Sequence, residues 1–312
     1  MIIVTGAAGF IGSNLVRGLN RRGVDDIVLV DSLENGEKHL GLNSLGFRDF
    51  IDIGDFLAKL PSLGKVEAIL HQGACSDTME PDGRYMLRTN YEYSKTLMEF
   101  ALERRIPYLY ASSASVYGNG DDGFRESPEC EYPLNVYAFS KFLFDRWVRP
   151  RLASAESQVV GLRYFNVYGP QENHKGRMAS VVFHFHNQIR ETGKLKIFEG
   201  SDGFRRDFVH VDDIVDLNLF FLDHPEKSGI FNAGTGRAES FLALAQAAQR
   251  HYDGAQIEEI PFPEALVGKY QAYTQADLTQ LRAAGYEAEF LTVEQGVERY
   301  VAVLQESEGY YR

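Results

Sequence analysis

Two cysteines in 312 residues are too few to staple the chain, and Cys75 and Cys130 lie at no metal-ligand spacing. A disulfide framework and a cysteine-based metal site are both excluded, and each thiol is expected to be a small buried or loop residue, as in a reducing cytoplasm. Positive charge is also short: 32 lysines and arginines against 44 aspartates and glutamates leave a net charge of −12. That balance argues against nonspecific binding to nucleic acid or to anionic membranes, so an anionic ligand would need a local cluster of arginine and lysine. No apolar run approaches the ~20 residues of a membrane span, and the N-terminus reads as a strand rather than a signal peptide. The chain is expected to be soluble and cytoplasmic. Internal repeats and low-complexity linkers are missing too. The length exceeds one typical domain and leaves room for a large core with a smaller second lobe, or for one large α/β unit.

What is present begins at the first residue. Ile2 to Val4 reads as a short buried strand that breaks at Gly6, and Phe10-Ile-Gly-Ser-Asn-Leu-Val-Arg-Gly-Leu continues with apolar residues at helical spacing. Gly6 permits a tight turn, Gly9 removes a side chain that would block a pyrophosphate, and Gly12 lets the helix lie close on the strand. The helix N-terminus then offers its N–H groups to phosphates, so the stretch reads as a dinucleotide cradle. Its spacing, Gly-x-x-Gly-x-x-Gly, is the form found in short-chain dehydrogenases.

Strands and helices alternate through the first half. Asp26 to Val30 is a second strand ending at Asp31, 19 residues past Gly12, where an acidic residue in such folds meets the adenosine ribose. Asp31 alone favours NAD. Ser32 and Lys38 in the following loop supply a hydroxyl and a cation able to hold a 2′-phosphate, which leaves NADP open. Val66 to His71 is another buried strand, and Gln72-Gly73-Ala74-Cys75-Ser76 follows as a small-residue loop suited to pass close to a cofactor. A long helix is expected from about Gly83 to Arg105, with Asn90 on its face, free either to touch the cofactor or to satisfy a backbone group.

The chemistry falls in the next segment. Pro107 to Ala111 reads as a strand leading to Ser112 and Ser113, and Tyr137-Ala-Phe-Ser-Lys141 opens a helix. Residues four apart share a helical face, so the Lys141 ammonium is expected beside the Tyr137 phenol, lowering its pKa toward the range of proton exchange with a substrate hydroxyl. Lys141 can also grip the nicotinamide ribose, and Ser113 can bond the same substrate oxygen as Tyr137. Gln158 to Leu162 reads as the last core strand, with Asn166 at its C-terminal end, where ligands bind in open sheets. Lys175 and Arg177 share a loop of three potential cations with His174. Arg205 and Arg206 suit bidentate contacts to a diphosphate. His184 and His186, two apart on a helix, cannot form a metal pair, and no metal is expected. His210 and Asp212 read as caps of the next helix, and Phe231 to Gly236 as a return to the core.

Thr5 to Gly12, Tyr137 to Lys141, Leu162-Arg-Tyr-Phe-Asn-Val-Tyr-Gly-Pro170 and Arg206 to Asp213 together resemble the extended short-chain dehydrogenase/reductase group of nucleotide-sugar epimerases and dehydratases. The likeness covers essentially the whole chain. His71 to Ser76, Pro133 to Tyr137, His174-Lys-Gly176 with Met178 to Ser180, Phe198 to Ser201 and Tyr270 to Leu278 resemble in particular the branch that inverts C6 of ADP-linked heptoses. The resemblance implies a Rossmann-type doubly wound parallel sheet, residues 1–165 with 205–235 returning to it, and a smaller C-terminal α/β substrate lobe, mainly 166–312. It implies a cytoplasmic NADP enzyme, NAD being possible, that serves lipopolysaccharide inner-core synthesis as a homo-oligomer, usually a pentamer. Cofactor contacts would extend to Phe10, Ile11, Thr89, Asn90, Val167 and Lys175. Substrate contacts would be Ser113, Asn166, Arg177, His184, Phe198, Glu199, Gly200, Ser201, Arg206 and Tyr270. Tyr137 and Lys175 would be the two acid/bases.

C6 of such a sugar has no adjacent carbonyl, so its C–H is too weak an acid for a side chain to deprotonate, and hydride removal to a tightly held cofactor is the practical route. Two positions depart from the family pattern: Ile53 stands where relatives can carry a lysine near the cofactor phosphate, and Arg177 where a serine is usual. Three rivals share features with this reading. A 4,6-dehydratase resembles Thr-Asp-Glu after the strand, where this chain has Ser113-Ala-Ser115. A UDP-hexose 4-epimerase differs at the Lys175 loop, and a non-catalytic NADP sensor would need neither Tyr137 nor Lys141.

Overall fold

A strand with both faces covered is apolar along most of its length, with any polar residue partnered, and the core strands here are built that way. In the computed structural model, which describes residues 1–263 and 271–312, Ile2–Thr5 (β1), Ile27–Asp31 (β2), Ala68–His71 (β4) and Val159–Tyr164 (β6) are buried throughout. They join Asp49–Asp52 (β3), Tyr108–Ser113 (β5) and Gly229–Ala233 (β11) in a seven-stranded parallel sheet of order β11-β6-β5-β4-β1-β2-β3. The order reverses between β1 and β4, and an open sheet has its ligand crevice at such a switch point, beyond the strands' carboxyl ends. The segment from Gln158 reads as the last core strand, but the return to the core read at Phe231 to Gly236 supplies one more, β11, outside β6 in parallel register, Gly229 opposite Val160.

Helices cover both faces. On one, Phe10–Arg21 (α1) and Val211–Asp223 (α7) bury Leu15, Leu19, Leu217 and Phe221 against β1 and β6; on the other, Tyr93–Glu103 (α4) and Val136–Val148 (α5) bury Leu97, Met98 and Phe144. The helix expected over 83–105 is three pieces: Gly83–Leu87 (α3), a π-helical turn at Arg88–Glu92, and α4. The turn holds Asn90, 1 % exposed, with its amide bonded to Cys75 N and O at 2.8 and 2.9 Å and to Ser140 Oγ at 3.1 Å. Of the two roles open to Asn90, the structure shows the backbone-satisfying one.

A separate apolar core lies beyond the sheet. Val181–Thr192 (α6), Phe241–Gln249 (α8) and Val293–Ser307 (α10) enclose Val182, Phe185, Leu244, Val297 and Tyr300. Lys194–Phe198 (β8) and Gln256–Ile260 (β13) pair in parallel beside it. Short pairings tie this region to the sheet: Asn166–Tyr168 (β7) with Phe208–His210 (β10), and Arg205–Arg206 (β9) with Glu239–Ser240 (β12). His210 caps α7 by accepting from Asp212 N, as its position in the sequence suggests. Ile53–Lys59 (α2) and Thr279–Ala283 (α9) complete the α-helices of the described residues. None is long and apolar enough to cross a membrane.

One buried ionic cluster braces the sheet. Arg163 of β6 is fully enclosed; its Nε donates to Asp145 Oδ2 at 2.9 Å, Nη1 donates to Tyr117 Oη at 2.9 Å, and Nη2 pairs with Glu131. Asp145 also accepts from Tyr110 Oη at 2.9 Å and Ser112 Oγ at 2.8 Å. Removing one partner of such a pair strands a charge, so Asp145→Ala is expected to lose about 3–5 kcal/mol in urea unfolding. A loss under about 1 kcal/mol would show that the cluster does not brace the fold.

Candidate functional site

Glycines shape the crevice floor. Gly6 has φ +67°, and a Cβ there would sit 2.6 Å from Gly73 N; a Cβ on Gly12 would sit 2.0 Å from Gly6 O. Only bare backbone lets β1, α1 and the loop after β4 come this close, which leaves the first turn of α1 open to a ligand. Gly73 N donates to Thr5 Oγ1 at 3.1 Å, and Tyr164 Oη donates to Gln72 Oε1 at 3.0 Å, so the loop is held from β1 on one side and from β6, two strands away, on the other.

Above this floor is a cleft of about 1470 Å³. Single-ligand pockets run to about 1,000 Å³, so this one has room for a dinucleotide and a second ligand. Its wall includes Gly6, Gly9, Phe10, Ile11, Gly12, Asp31, Ser32, Lys38, Gln72 to Ser76 and Thr89 on the sheet side. Ser113, Tyr137, Lys141, Asn166, Val167, Lys175 and Arg177 line it as well. Residues far apart in sequence and chosen from sequence alone thus meet in one space.

Asp31 Oδ2 accepts from Ala8 N at 2.8 Å, and Oδ1 accepts from Ser32 N at 2.7 Å and Lys38 Nζ at 2.5 Å. Burial, with Lys38 and Lys175 nearby, pulls His174 down to about 4, so it adds no charge at neutral pH. Ile53 also lines the cleft and brings none.

At the other end, Asn135 caps α5 by accepting from Ala138 N at 2.8 Å, which fixes the turn that carries Tyr137. The expected lowering of the Tyr137 phenol is not what the structure shows. Burial raises it, the hydrogen bond with Ser113 opposes this, and Cys75 adds to it. Lys141 Nζ is instead fastened to Ala111 O at 2.8 Å. Burial pulls Lys141 down to about 8 against the opposing pull of Asp145 and Cys75.

A pH dependence follows. Below about pH 8 Lys141 carries its proton both in the crevice and in the unfolded chain; between about 8 and 10.5 only the unfolded chain keeps it. Its burial penalty therefore fades and its contribution to stability rises across that window. An anionic cofactor held by the ammonium should bind severalfold more weakly as pH rises through about 8. Fluorescence titration of the reduced nicotinamide should show the decline in the native protein and its absence in Lys141→Met.

Several expected residues lie off the wall. Asn90 sits behind the loop it braces. His184 is on α6 past the turn that lines the cleft, its ring against Phe183. Phe198, Glu199, Gly200 and Ser201 form a turn at the end of β8, where Ser201 Oγ bonds Phe198 O and the Phe198 ring packs on Phe262. Arg206, 6 % exposed, bonds Arg205 O and Gln271 O and lies 5.8 Å from the ring of Phe241, itself a wall residue. Tyr270 lies outside the described residues. Sequence reading also missed wall residues. Asp77 pairs with Arg177 at 2.8 Å across 100 residues, and nothing local signals that. Arg88 precedes Thr89 on the π-helical turn, and Tyr85 lies four residues before it, a helical spacing that does signal a shared face.

A crevice with this floor and a Ser-Tyr-Lys group at its far end defines a nicotinamide-dependent enzyme of the doubly wound α/β class. The family model described as the NAD dependent epimerase/dehydratase family matches residues 2–234, and the chain belongs to that family. Among curated relatives, an ADP-L-glycero-D-manno-heptose-6-epimerase of Brachyspira hyodysenteriae is 60% identical over 316 residues, covering 99% of each chain. Among solved structures, the ADP-L-glycero-D-manno-heptose-6-epimerase of Helicobacter pylori is 29% identical with TM-score 0.84, over 98% of this chain and 96% of that one. The UDP-glucose 4-epimerase of Thermotoga maritima, solved with UDP-glucose, is 26% identical with TM-score 0.81, over 98% and 99%.

Proposed function

We propose that this protein inverts C6 of the heptose in ADP-D-glycero-β-D-manno-heptose to give the L-glycero epimer, with a nicotinamide cofactor kept bound through turnover. The observation that carries the reading is the 60% identity along 99% of both chains to a heptose 6-epimerase. The meeting of Tyr137, Ser113, Lys141 and Lys175 in one cleft supports it. The bound nicotinamide supplies a reversible hydride acceptor, which C6 needs because it has no acidic C–H.

The side chains have the remaining work. Gly6, Gly9 and Gly12 with Phe10 and Ile11 cradle the pyrophosphate, and Asp31, Ser32 and Lys38 hold the adenosine end. The Lys38 cation on Asp31 supports NADP over NAD, because it offsets the carboxylate that would repel a 2′-phosphate. Lys141 holds the nicotinamide ribose. Tyr137 and Ser113 meet the C6 hydroxyl, Tyr137 exchanging its proton. Lys175 does the same for the other orientation of the sugar, so that each face of the planar ketone has its own acid. Asn166 and Arg177 contact the sugar nucleotide in the lobe after residue 165. In the cell we place the enzyme in the cytoplasm, as a homo-oligomer feeding lipopolysaccharide inner-core synthesis.

Parallel incubations with ADP-D-glycero-β-D-manno-heptose and with UDP-glucose test the substrate. Turnover of the first alone supports the proposal; turnover of UDP-glucose alone would replace it with hexose 4-epimerisation.

A further inference from the structure

Glu172 has 0 % exposure and lies three residues before Lys175. A carboxylate so enclosed is costly unless every lone pair is used and its charge is matched. Three donors are neutral: Ser180 N at 2.7 Å on Oε2, Ser180 Oγ at 2.5 Å on Oε1, and Tyr300 Oη of α10 at 3.0 Å on Oε1. The only cation against it among the described residues is Lys175, Nζ to Oε2 at 3.5 Å. Lys175 N also bonds Glu172 O at 3.0 Å, which winds the loop into a turn. Ser180 caps α6, so one carboxylate joins the C-terminal helix, the start of α6 and the Lys175 loop.

Lys175 itself is only 22 % exposed, lines the cleft, and has its ammonium 4.9 Å from the centre of the Phe10 ring. A lysine has four rotatable bonds and about 2 kcal/mol of rotamer entropy to lose, and Phe10 is a weak tether. A buried countercharge is a strong one.

We propose that Glu172 is the positioning residue for Lys175, holding the amine at the cleft wall beside the glycine turn. The inference rests on the proposed C6 epimerisation. There Lys175, kept as the ammonium by Glu172, would give its proton to the ketone oxygen as a bound nicotinamide returned hydride to C6. In the reverse direction the resulting amine would take that proton back from the C6 hydroxyl as the C6–H electron pair left as hydride. Glu172 touches neither sugar nor cofactor in this scheme; its effect passes through Lys175.

A double-mutant cycle of Glu172→Gln and Lys175→Met, followed by epimerisation rate, separates that role from a structural one. Glutamine keeps the shape and removes the charge. Expected is a kcat about a hundredfold lower with little change in KM, and no further loss when Glu172→Gln is added to Lys175→Met. Additive losses, or a glutamine variant at native rate, would overturn the proposal. Should Glu172→Gln fail to fold, the cycle is run with Glu172→Asp, and the same absence of added loss is expected. A second readout needs no turnover: acylation of Lys175 by an activated ester, followed by mass spectrometry, should quicken severalfold in the glutamine variant, and an unchanged rate would overturn the inference. If the native protein epimerises nothing, the C6 reading fails while the acylation result still judges Glu172.

Discussion

Tyr137→Phe is expected to turn over ADP-heptose about 10²- to 10⁴-fold more slowly than the native protein while binding the nicotinamide cofactor equally well. The substitution removes one oxygen and leaves the ring that helps form the cleft wall. Burial raises the phenol, and the opposing bond from Ser113 is its local source of stabilisation as an anion. The hydroxyl at position 137 thus enters the cleft as a neutral acid, suited to give a proton to a developing alkoxide. It can take one up only once charge in the filled site has brought it down. Losing it should lower kcat and kcat/KM together, the pattern of an interaction made in the transition state. Steady-state kinetics with a parallel cofactor titration checks this. A phenylalanine variant within about tenfold of native would move the role to Ser113 or Lys175.

Gly12→Ala is expected to abolish retention of the cofactor. The new Cβ would lie 2.0 Å from Gly6 O, 2.7 Å from Gly6 C and 2.9 Å from the Ala7 Cα, all backbone atoms. None can rotate away, so the turn or the helix must move. Overpacking of this kind costs about 1–3 kcal/mol in stability, and the displacement falls on the first-turn N–H groups of α1 proposed to face the phosphates. Affinity should drop by at least about a hundredfold, which isothermal titration with the purified variant would measure. Native affinity in the alanine variant would mean that the pyrophosphate lies elsewhere.

Much of the site was legible because its signals are local. The glycine turn, Asp31 at the end of β2 and the four-residue spacing of Tyr137 and Lys141 each need only neighbouring residues, and each is lined up on the cleft. The parallel sheet was legible from mostly apolar strands alternating with helices. What escaped reading depends on distant contacts. The return of the chain to the core near Phe231 was read, but not that it adds a strand, β11, outside β6. The Asp77 and Arg177 pair, and Tyr300 on Glu172, cross 100 and 128 residues. The sign of the Tyr137 shift was missed because burial is a property of the fold, whereas the i,i+4 lysine is a property of the helix. The residues drawn or selected by family likeness divide. Lys175 and Val167 reach the wall, while His184, Phe198 to Ser201 and Arg206 stand behind or beyond it.

Inversion at C6 by a hydride that never leaves the protein is tested most directly with solvent deuterium. The purified chain, with no cofactor added, would be given ADP-D-glycero-β-D-manno-heptose in heavy water and the sugar followed by NMR. The expected product is the L-glycero epimer with hydrogen, not deuterium, at C6. Deuterium at C6 would show that the hydrogen passes through solvent and contradict the hydride route; no inversion, even with NADP+ supplied, would contradict the heptose assignment itself.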